Sequence, residues 1–129
     1  MADIGFQPYP GAEAAAAWFQ KYAADAAAAL RKLARRADLQ MWITTDSFED
    51  VLAFYRRLGQ EQRQFAEGFL PNLRAKSGRG VEAAHVIFDG EASPVASKDY
   101  VSIQRPVIVS FEPLVVHEFT QISRYLVKQ

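Results

Sequence analysis

The stretch Leu39–Gly59, LQMWITTDSFEDVLAFYRRLG, constrains the fold most, because it predicts a buried strand that leads directly into a capped helix. Apolar and polar side chains alternate over Leu39–Thr45 with the period of two that is typical of a half-buried strand. The next residues carry oxygen acceptors suited to a helix N-terminus, and Asp46–Glu49 and Ser47–Asp50 are two alternative capping pairs. A helix over Ser47–Leu58 should therefore follow the strand.

The predicted helix has one apolar stripe and a defined end. The stripe consists of side chains at helical spacing: Val51, Phe54, Tyr55 and Leu58. Gly59 follows at the position that a left-handed C-terminal cap requires. Two arginines stand just before it, where cations meet the negative end of the helix dipole. The start, the buried face and the end of the helix therefore agree with one another.

An upstream segment, YPGA at residues 9–12, precedes this strand-to-helix unit. Together with TTDSFEDVLAFYRRLG at residues 44–59, it resembles a pattern of small bacterial proteins, often exported, that lack an assigned function. The resemblance covers the N-terminal half of the chain, which departs from the pattern by a long alanine-rich segment between the two matching parts. It implies that strands follow the unit and that the protein is exported, and it assigns no active site.

The composition is that of a single domain, residues 1–129, without cysteine chemistry. Half of the residues are hydrophobic, so a core can form. A net charge of zero argues against a general polyanion-binding protein. The absence of cysteine excludes disulfides, thiolate metal sites and a cysteine nucleophile. The first residues, MADIGFQPYPG, lack the basic and apolar regions of a signal peptide. They fit either a cytoplasmic protein or the mature end of an exported, periplasmic protein, so the location stays open.

Three further segments are expected around the central unit. Two prolines within residues 1–11 predict an extended N-terminal arm. The alanine-rich run predicts a long helix over Glu13–Asp38, since alanine is the best helix former. Helical spacing over Gln60–Leu70 predicts a short third helix, which Pro71 should end.

From residue 81 onward, β-branched and aromatic runs predict strands. They cover Glu82–Phe88, Tyr100–Gln104, Pro106–Glu112 and Phe119–Val127, with a turn at Asp89-Gly90 after the first. Pro106 marks an edge, a bulge or a break, because proline cannot donate to a strand ladder. The predicted fold is α+β, with a long alanine-rich helix and one or two shorter helices packed on one face of a mostly antiparallel sheet of about four strands.

The sequence contains no motif that predicts a catalytic, cofactor-binding or metal-binding site. His85 is in phase with Ala83 and Ile87 in a predicted strand, where a lone histidine is more often a hydrogen-bonded core residue than a base or a ligand. His117 stands near Glu118 without HExxH or comparable ligand spacing. No GxSxG nucleophile elbow is present. We therefore expect no cofactor and no metal. The absence of motifs favours a binding protein over an enzyme.

A ligand pocket is the one candidate site that the sequence suggests. A long helix across a curved antiparallel sheet often leaves a cavity at its open end, as in cystatin-like and NTF2-like cones. The residues expected to line it are Trp18, Tyr22, Trp42, His85, Gln104 and Tyr125, with Phe88 as a further aromatic and Ser102, Gln121 and Ser123 as further polar groups. The same aromatic residues would equally well fill a core without a cavity.

Three functions stay open at this point. The first is a non-catalytic binding or interaction module, whose partner is another protein or a second copy of the chain at the exposed side of the sheet. The second is a cone with a small-ligand or catalytic pocket. The third is a nucleic-acid contact surface on the basic residues between Arg31 and Arg79, which the zero net charge disfavours.

Overall fold

A computed structural model describes residues 6–22, 39–63, 69–78, 80–92, 96–111 and 114–126 of the protein. The helices in these ranges are α1 (Ala15–Tyr22), α2 (Phe48–Arg56) and α3 (Phe69–Ser77). The strands are β1 (Glu13–Ala14), β2 (Leu39–Thr44), β3 (Gln60–Gln62), β4 (Glu82–Ile87), β5 (Asp99–Arg105), β6 (Val107–Phe111), β7 (Leu114–His117) and β8 (Thr120–Leu126).

Six of these strands form one sheet in the order β1-β2-β8-β5-β4-β3, and every neighbouring pair is antiparallel. The last strand, β8, lies inside the sheet between β2 and β5. Strands β6 and β7 form a separate two-stranded antiparallel ribbon. The predicted α+β class and antiparallel sheet are confirmed, whereas the expected number of about four strands is wrong.

The strand-to-helix unit forms as its sequence predicts. Strand β2 pairs with β8 over its whole length. Ser47 is the N-cap of α2, because its Oγ accepts a hydrogen bond from the Asp50 backbone N–H at 3.1 Å. Of the two alternative capping pairs the structure selects this one, and Asp46 instead accepts a hydrogen bond from the Tyr9 hydroxyl. The buried side of α2 consists of Phe48, Val51, Leu52 and Tyr55.

Gly59 is required for a different reason from the predicted one. It does not adopt a positive φ, so it is not a left-handed cap, and α2 is capped by Arg57 in right-handed helical geometry. A Cβ atom on Gly59 would lie 2.5 Å from the backbone oxygen of Ile87 and 2.8 Å from Cδ1 of Phe88. Glycine therefore lets the chain pass close to β4, and the following residues pair with that strand.

The segment after Gly59 begins with a strand, so the helix expected over Gln60–Leu70 does not start at Gln60. Residues 64–68 of that prediction lie outside the described residues. Strand β3 pairs antiparallel with β4, with Glu61 opposite Val86. Glutamine and glutamate favour helices by intrinsic propensity, but the pairing made available by β4 overrides that weak preference. Pro71 also does not end a helix, because it is the third residue of α3, where its missing N–H costs no intrahelical hydrogen bond.

The alanine-rich segment begins with a short strand rather than with a helix. Strand β1 pairs with β2, with Glu13 opposite Ile43, so the helix begins at Ala15 and not at Glu13. Residues 23–38 of the predicted long helix lie outside the described residues, as do residues 1–5 of the predicted arm. The arm ends in a turn at Pro10-Gly11, where Gly11 has a φ of 81°, which glycine adopts without strain.

Helices α1 and α2 pack on opposite faces of the sheet, so the expectation that the helices share one face is wrong. Successive strand residues point to opposite faces, and Trp42 packs against the α2 cluster whereas Ile43 belongs to the α1 cluster. The sheet residues in the α2 cluster are Ala84, Val86, Val101, Ile103 and Ile122. The α1 cluster contains Ala15, Trp18, Phe19, Ile43 and Val107. We call the two sides of the sheet the α2 face and the α1 face.

The β6–β7 ribbon packs beside α1. Pro106 separates β5 from β6, as expected of a break, and Val107 at the start of β6 is fully buried in the α1 cluster. The Trp18 ring meets the rings of His117 and Phe119 edge to face, with centroids 5.2 Å and 5.1 Å apart. Strand β7 was not expected from the sequence.

The N-terminal arm packs against the α2 face. The Phe6 ring stacks on Trp42 and Tyr55, with centroids 5.3 Å and 5.7 Å apart. The guanidinium carbon of Arg124 lies 4.5 Å from the Phe6 ring centroid, which is cation–π geometry. The Tyr55 hydroxyl donates to the Gln7 carbonyl at 2.8 Å. These contacts fix the arm on the helix and the sheet together.

Replacing Gly59 by alanine should lower the free energy of unfolding by about 1–3 kcal/mol, the usual cost of an overpacked site. The reason is that the new Cβ would contact a backbone oxygen of β4, which cannot move aside as a flexible side chain can. Urea denaturation measures this change. Gly80→Ala is the matched control, because a Cβ there meets no atom within 4 Å. Equal stability of the two variants would contradict the close-approach explanation.

Candidate functional site

The α1 face carries polar side chains in the middle of the sheet. The strand register places Ser123 of β8, Ser102 of β5 and His85 of β4 side by side in one row. The adjacent rows pair Gln121 with Gln104 and Tyr125 with Tyr100. We call this group the polar patch, and its seven residues are His85, Tyr100, Ser102, Gln104, Gln121, Ser123 and Tyr125.

Hydrogen bonds join the central row of the polar patch. Nδ1 of His85 and Oγ of Ser102 lie 2.8 Å apart across the β4–β5 pair. Nε2 of Gln121 donates to Oγ of Ser123 at 3.1 Å along β8. Ser123 is buried, and the other six residues of the patch are half-buried. The patch therefore combines internal order with partial access to solvent.

Two tyrosine rings form one side of the polar patch. Tyr100 and Tyr125 stack with their centroids 4.9 Å apart and their planes 14° from parallel. The His85 ring meets the Tyr100 ring edge to face at 5.8 Å. Such contacts between rings hold their orientation in addition to burying area.

The polar patch is uncharged at neutral pH. Burial lowers the pKa of His85 below its ordinary value of 6.5, because the imidazolium form loses solvation on the sheet. Burial likewise raises the pKa of Tyr125, and burial followed by the neighbouring Tyr125 raises the pKa of Tyr100. The imidazole and both phenols therefore stay neutral, and serine and glutamine carry no charge.

The structure brings together only part of the pocket expected from the sequence. His85, Gln104 and Tyr125 lie on the same face in neighbouring strands. Trp18 lies in the α1 cluster with 1% of its surface exposed, whereas Trp42 packs on the opposite face with Phe6 and the α2 cluster. The two tryptophans therefore cannot line one cavity.

Phe88 and Tyr22 were also expected to line the pocket. Phe88 contacts Phe6 and Tyr55 on the α2 side, away from the patch. The side chain of Tyr22 lies outside the described residues. Tyr100 belongs to the patch but was missed, although its alternation with Ser102 and Gln104 along the predicted strand was a sufficient signal.

A second feature lies at the N-terminus of α2. It is an open cleft of about 490 Å³ lined by Tyr9, Pro10, Asp46, Asp50, Ala53, Phe54 and Arg57. The Tyr9 hydroxyl donates to Oδ2 of Asp46 at 2.5 Å, and its ring meets Phe54 edge to face at 5.2 Å. Burial, then the hydrogen bond to Asp46 and the nearby carboxylates, raise the pKa of Tyr9 to about 12.

This cleft is where the two segments of the sequence resemblance meet. Tyr9 of YPGA contacts Asp46 and Phe54 of the strand-to-helix unit, 37 residues or more further along the chain. These contacts give the matching residues a structural role, because they hold the arm on α2. The acidic side chains of the cleft, Asp46 and Asp50, are exposed. Asp46 accepts the hydrogen bond of Tyr9, and Asp50 lies in the first turn of α2, where the helix dipole favours a carboxylate.

Within the described ranges, no group of three or more histidine, aspartate or glutamate side chains could hold a metal ion. None of the helices described there is long and apolar enough to cross a membrane. The basic residues Arg31, Lys32, Arg35 and Arg36 lie outside these ranges, and Arg74 and Lys76 are exposed on α3. Comparison with protein-family models, with curated proteins and with solved structures finds no match to this chain.

The lowered pKa of His85 predicts a pH dependence of stability. In the unfolded chain this histidine binds a proton near pH 6.5, whereas in the folded protein it does so only at lower pH. Between these values the unfolded state binds more protons, so acidification below about pH 6.5 destabilises the fold. His85→Gln lacks this contribution, so the stability advantage of the wild type over the variant should shrink as the pH falls.

Urea denaturation of both proteins between pH 7.5 and pH 4.5 tests this, in steps of roughly half a pH unit across the region where histidine titrates. An NMR titration of the His85 ring resonances checks the same pKa directly. A stability difference that stays constant over the whole range, or a ring that titrates above its ordinary pKa, would contradict the assignment.

Proposed function

We propose that the protein binds a small molecule at the polar patch on the α1 face of its sheet. The observation that carries the proposal is the position of the patch: three adjacent strands each place uncharged polar side chains on one half-buried surface. Small-molecule sites typically combine apolar walls with a few such groups. On the same face the α1 cluster around Trp18, Phe19 and Ile43 supplies an apolar surrounding.

The composition of the patch is unusual for a region whose only role is to hold a sheet together. β-Branched and aromatic residues are the common occupants of a half-buried sheet surface, and the α2 face has them at Val86, Val101, Ile103 and Ile122. Each half-buried polar group costs free energy unless it finds a hydrogen-bond partner. A bound molecule with matching groups would supply partners for the amide oxygens of Gln104 and Gln121 and for the hydroxyls of Tyr100 and Tyr125.

Binding is better supported than catalysis at this surface. The pair of His85 and Ser102 has hydrogen-bond geometry, which a serine nucleophile and its base would also need. However, β5 is paired on both sides, with β4 and β8, so the backbone N–H groups around Ser102 are engaged in ladders. A serine nucleophile needs nearby N–H donors that point at the developing oxyanion. On a central strand such as β5 the backbone N–H groups are already used in the sheet.

The two other functions considered for the chain have less support. An apolar docking surface would show large exposed apolar side chains, but among the described residues Val115 is the single one, and it lies on the ribbon. A nucleic-acid surface would rest mainly on the cluster Arg31–Arg36, which falls outside the described residues. A partner protein, a homodimer and nucleic acid therefore stay predictions.

Substitutions in the patch should weaken the binding of any compound that occupies it. A library of small molecules is first screened for compounds that raise the melting temperature of the wild type, since a ligand at 100 times its Kd stabilises by about 2.7 kcal/mol. Isothermal calorimetry then gives the Kd of each hit. Ser102→Val and Gln104→Leu each remove hydrogen-bonding groups, so we expect each to raise the Kd on the order of 3- to 10-fold.

Gln20→Leu is the matched control, because it makes the same exchange as Gln104→Leu at an exposed position of α1. It should leave the Kd of every hit unchanged. The proposal fails if no hit responds to the two patch substitutions, or if the control weakens binding as much as they do.

A further inference from the structure

We propose that the ligand of the polar patch is electrically neutral and donates hydrogen bonds from hydroxyl or amide groups. This inference rests on the proposed function and specifies the chemistry of its ligand. It follows from two observations: the distribution of charge over the two faces of the sheet, and the hydrogen-bonding groups that the patch leaves available.

The charged residues of the central strands are all on the α2 face. Strands β3, β4, β5 and β8 contain five residues with ionised side chains: Glu61, Glu82, Asp99, Arg105 and Arg124. The alternation of each strand places every one of them on the side of Val86, Val101 and Ile122, opposite to the patch. Strand β2 contains no charged residue.

Direct contacts agree with this assignment for three of the five. The Arg124 guanidinium lies against Phe6 of the arm and within 3.4 Å of the Asp99 carboxylate. Arg105 donates to the backbone oxygen of Asp46, in the turn before α2.

Among the described strands, the one charged residue on the α1 face lies at the margin of the sheet. Glu13 of β1 is opposite Ile43 of β2, and its carboxylate forms an ion pair with Lys21 at 3.0 Å. Ile43 is in turn opposite Gln121 of β8, so β2 lies between Glu13 and the nearest strand of the patch. Among the strands that the structure describes, the patch therefore has no neighbouring charge on its own face.

A charged ligand would bind poorly on such a surface. Moving an ion from water to a half-buried site costs its solvation, and only an opposite charge or several charge-directed hydrogen bonds can offset that cost. The patch residues carry no charge, and the described strands next to them place none on this face. A neutral ligand loses less solvation, and hydrogen bonds to neutral side chains can replace what it loses.

The available groups of the patch include both amide oxygens as acceptors and two hydroxyls. Gln121 uses Nε2 on Ser123, and Gln104 uses Nε2 on the Pro106 carbonyl at 3.2 Å. Each amide therefore uses one of its two N–H donors on the protein and keeps its oxygen as an acceptor. The hydroxyls of Tyr100 and Tyr125 add groups that accept as well as donate. A ligand that presents hydroxyl or amide N–H donors matches this set.

Matched compounds that share a skeleton and differ in charge test the inference. Benzamide, benzoate and benzamidine have the same aromatic ring and are neutral, anionic and cationic at neutral pH. N-acetylglucosamine, glucuronate and glucosamine form the corresponding series on a sugar ring. Each of the six is titrated into isotope-labelled protein, and the shifts of the backbone amides of Ser102, Gln104 and Ser123 give the Kd at the patch.

We expect the neutral member of at least one series to bind at the patch about tenfold or more tightly than both of its charged counterparts. A charged member that binds the patch as tightly as the neutral one would overturn the inference and leave the proposed function standing. If none of the six compounds shifts the patch resonances at millimolar concentration, the small-molecule proposal itself fails, and this inference fails with it.

An added charge should change the selectivity in a known direction. Gln104→Glu keeps the size and shape of the side chain and introduces an anion into the patch. The variant should bind benzamidine more tightly than the wild type does and benzoate more weakly. Gln20→Glu introduces the same charge on the exposed side of α1 and should leave the order of the three compounds unchanged. An identical response of the two variants would show that the compounds do not bind at the patch.

Discussion

The antiparallel register of β2, β8, β5 and β4 is the constraint on which the rest of the structure depends. Side chains alternate along every strand, so the register decides which residues pack under α2 and which form the polar patch. Ile122, Ile103 and Ala84 lie in one row across three strands and are buried beneath α2. A slip of β8 by one residue would exchange Ile122 with its polar neighbour and would turn the Arg124 guanidinium to the uncharged face. Burial on one face therefore also maintains the arrangement of the other.

Polar contacts hold the same register at one end of the sheet. The Arg105 guanidinium at the end of β5 donates to the backbone oxygens of Asp46 and Glu118, at 3.1 Å and 2.8 Å. It also donates to Oγ1 of Thr120, which itself donates to the Asp46 carbonyl at 2.6 Å. One side chain thus joins the end of β5, the turn before β8 and the turn that leads into α2. Truncating it would remove a donor from the Glu118 carbonyl and from Thr120 Oγ1 and one of two donors from the Asp46 carbonyl, so its role extends well beyond a surface charge.

Local sequence patterns were sufficient for the elements whose causes are local. Alternation predicted β2, and the acceptor of Ser47 followed by the apolar stripe predicted α2, because a cap and a buried face are properties of neighbouring residues. Strand β3 could not be predicted in this way. Its residues favour a helix by propensity, and they pair only because Gly59 brings the chain against β4, which is a long-range contact. The side of the sheet on which each helix packs was wrong for the same reason, since no local pattern relates the face of β2 to the faces of distant strands.

The residues of the candidate site were likewise predicted only in part. His85, Gln104 and Tyr125 were predicted to line one pocket, and the register brings their strands together. Trp18 and Trp42 were predicted to line the same pocket, but they lie on opposite faces of the sheet. The polar patch is recognisable only when the strands are aligned, because no single strand contains more than three of its residues. The alignment also reveals that the charged residues of β3, β4, β5 and β8 lie on the α2 face, where Asp99, Arg105 and Arg124 contact one another, the arm and the turns. The strands that carry the patch place no charge on its face. Our proposal therefore assigns the affinity of this surface to neutral hydrogen bonds and ring contacts, which favour neutral polar molecules over ions.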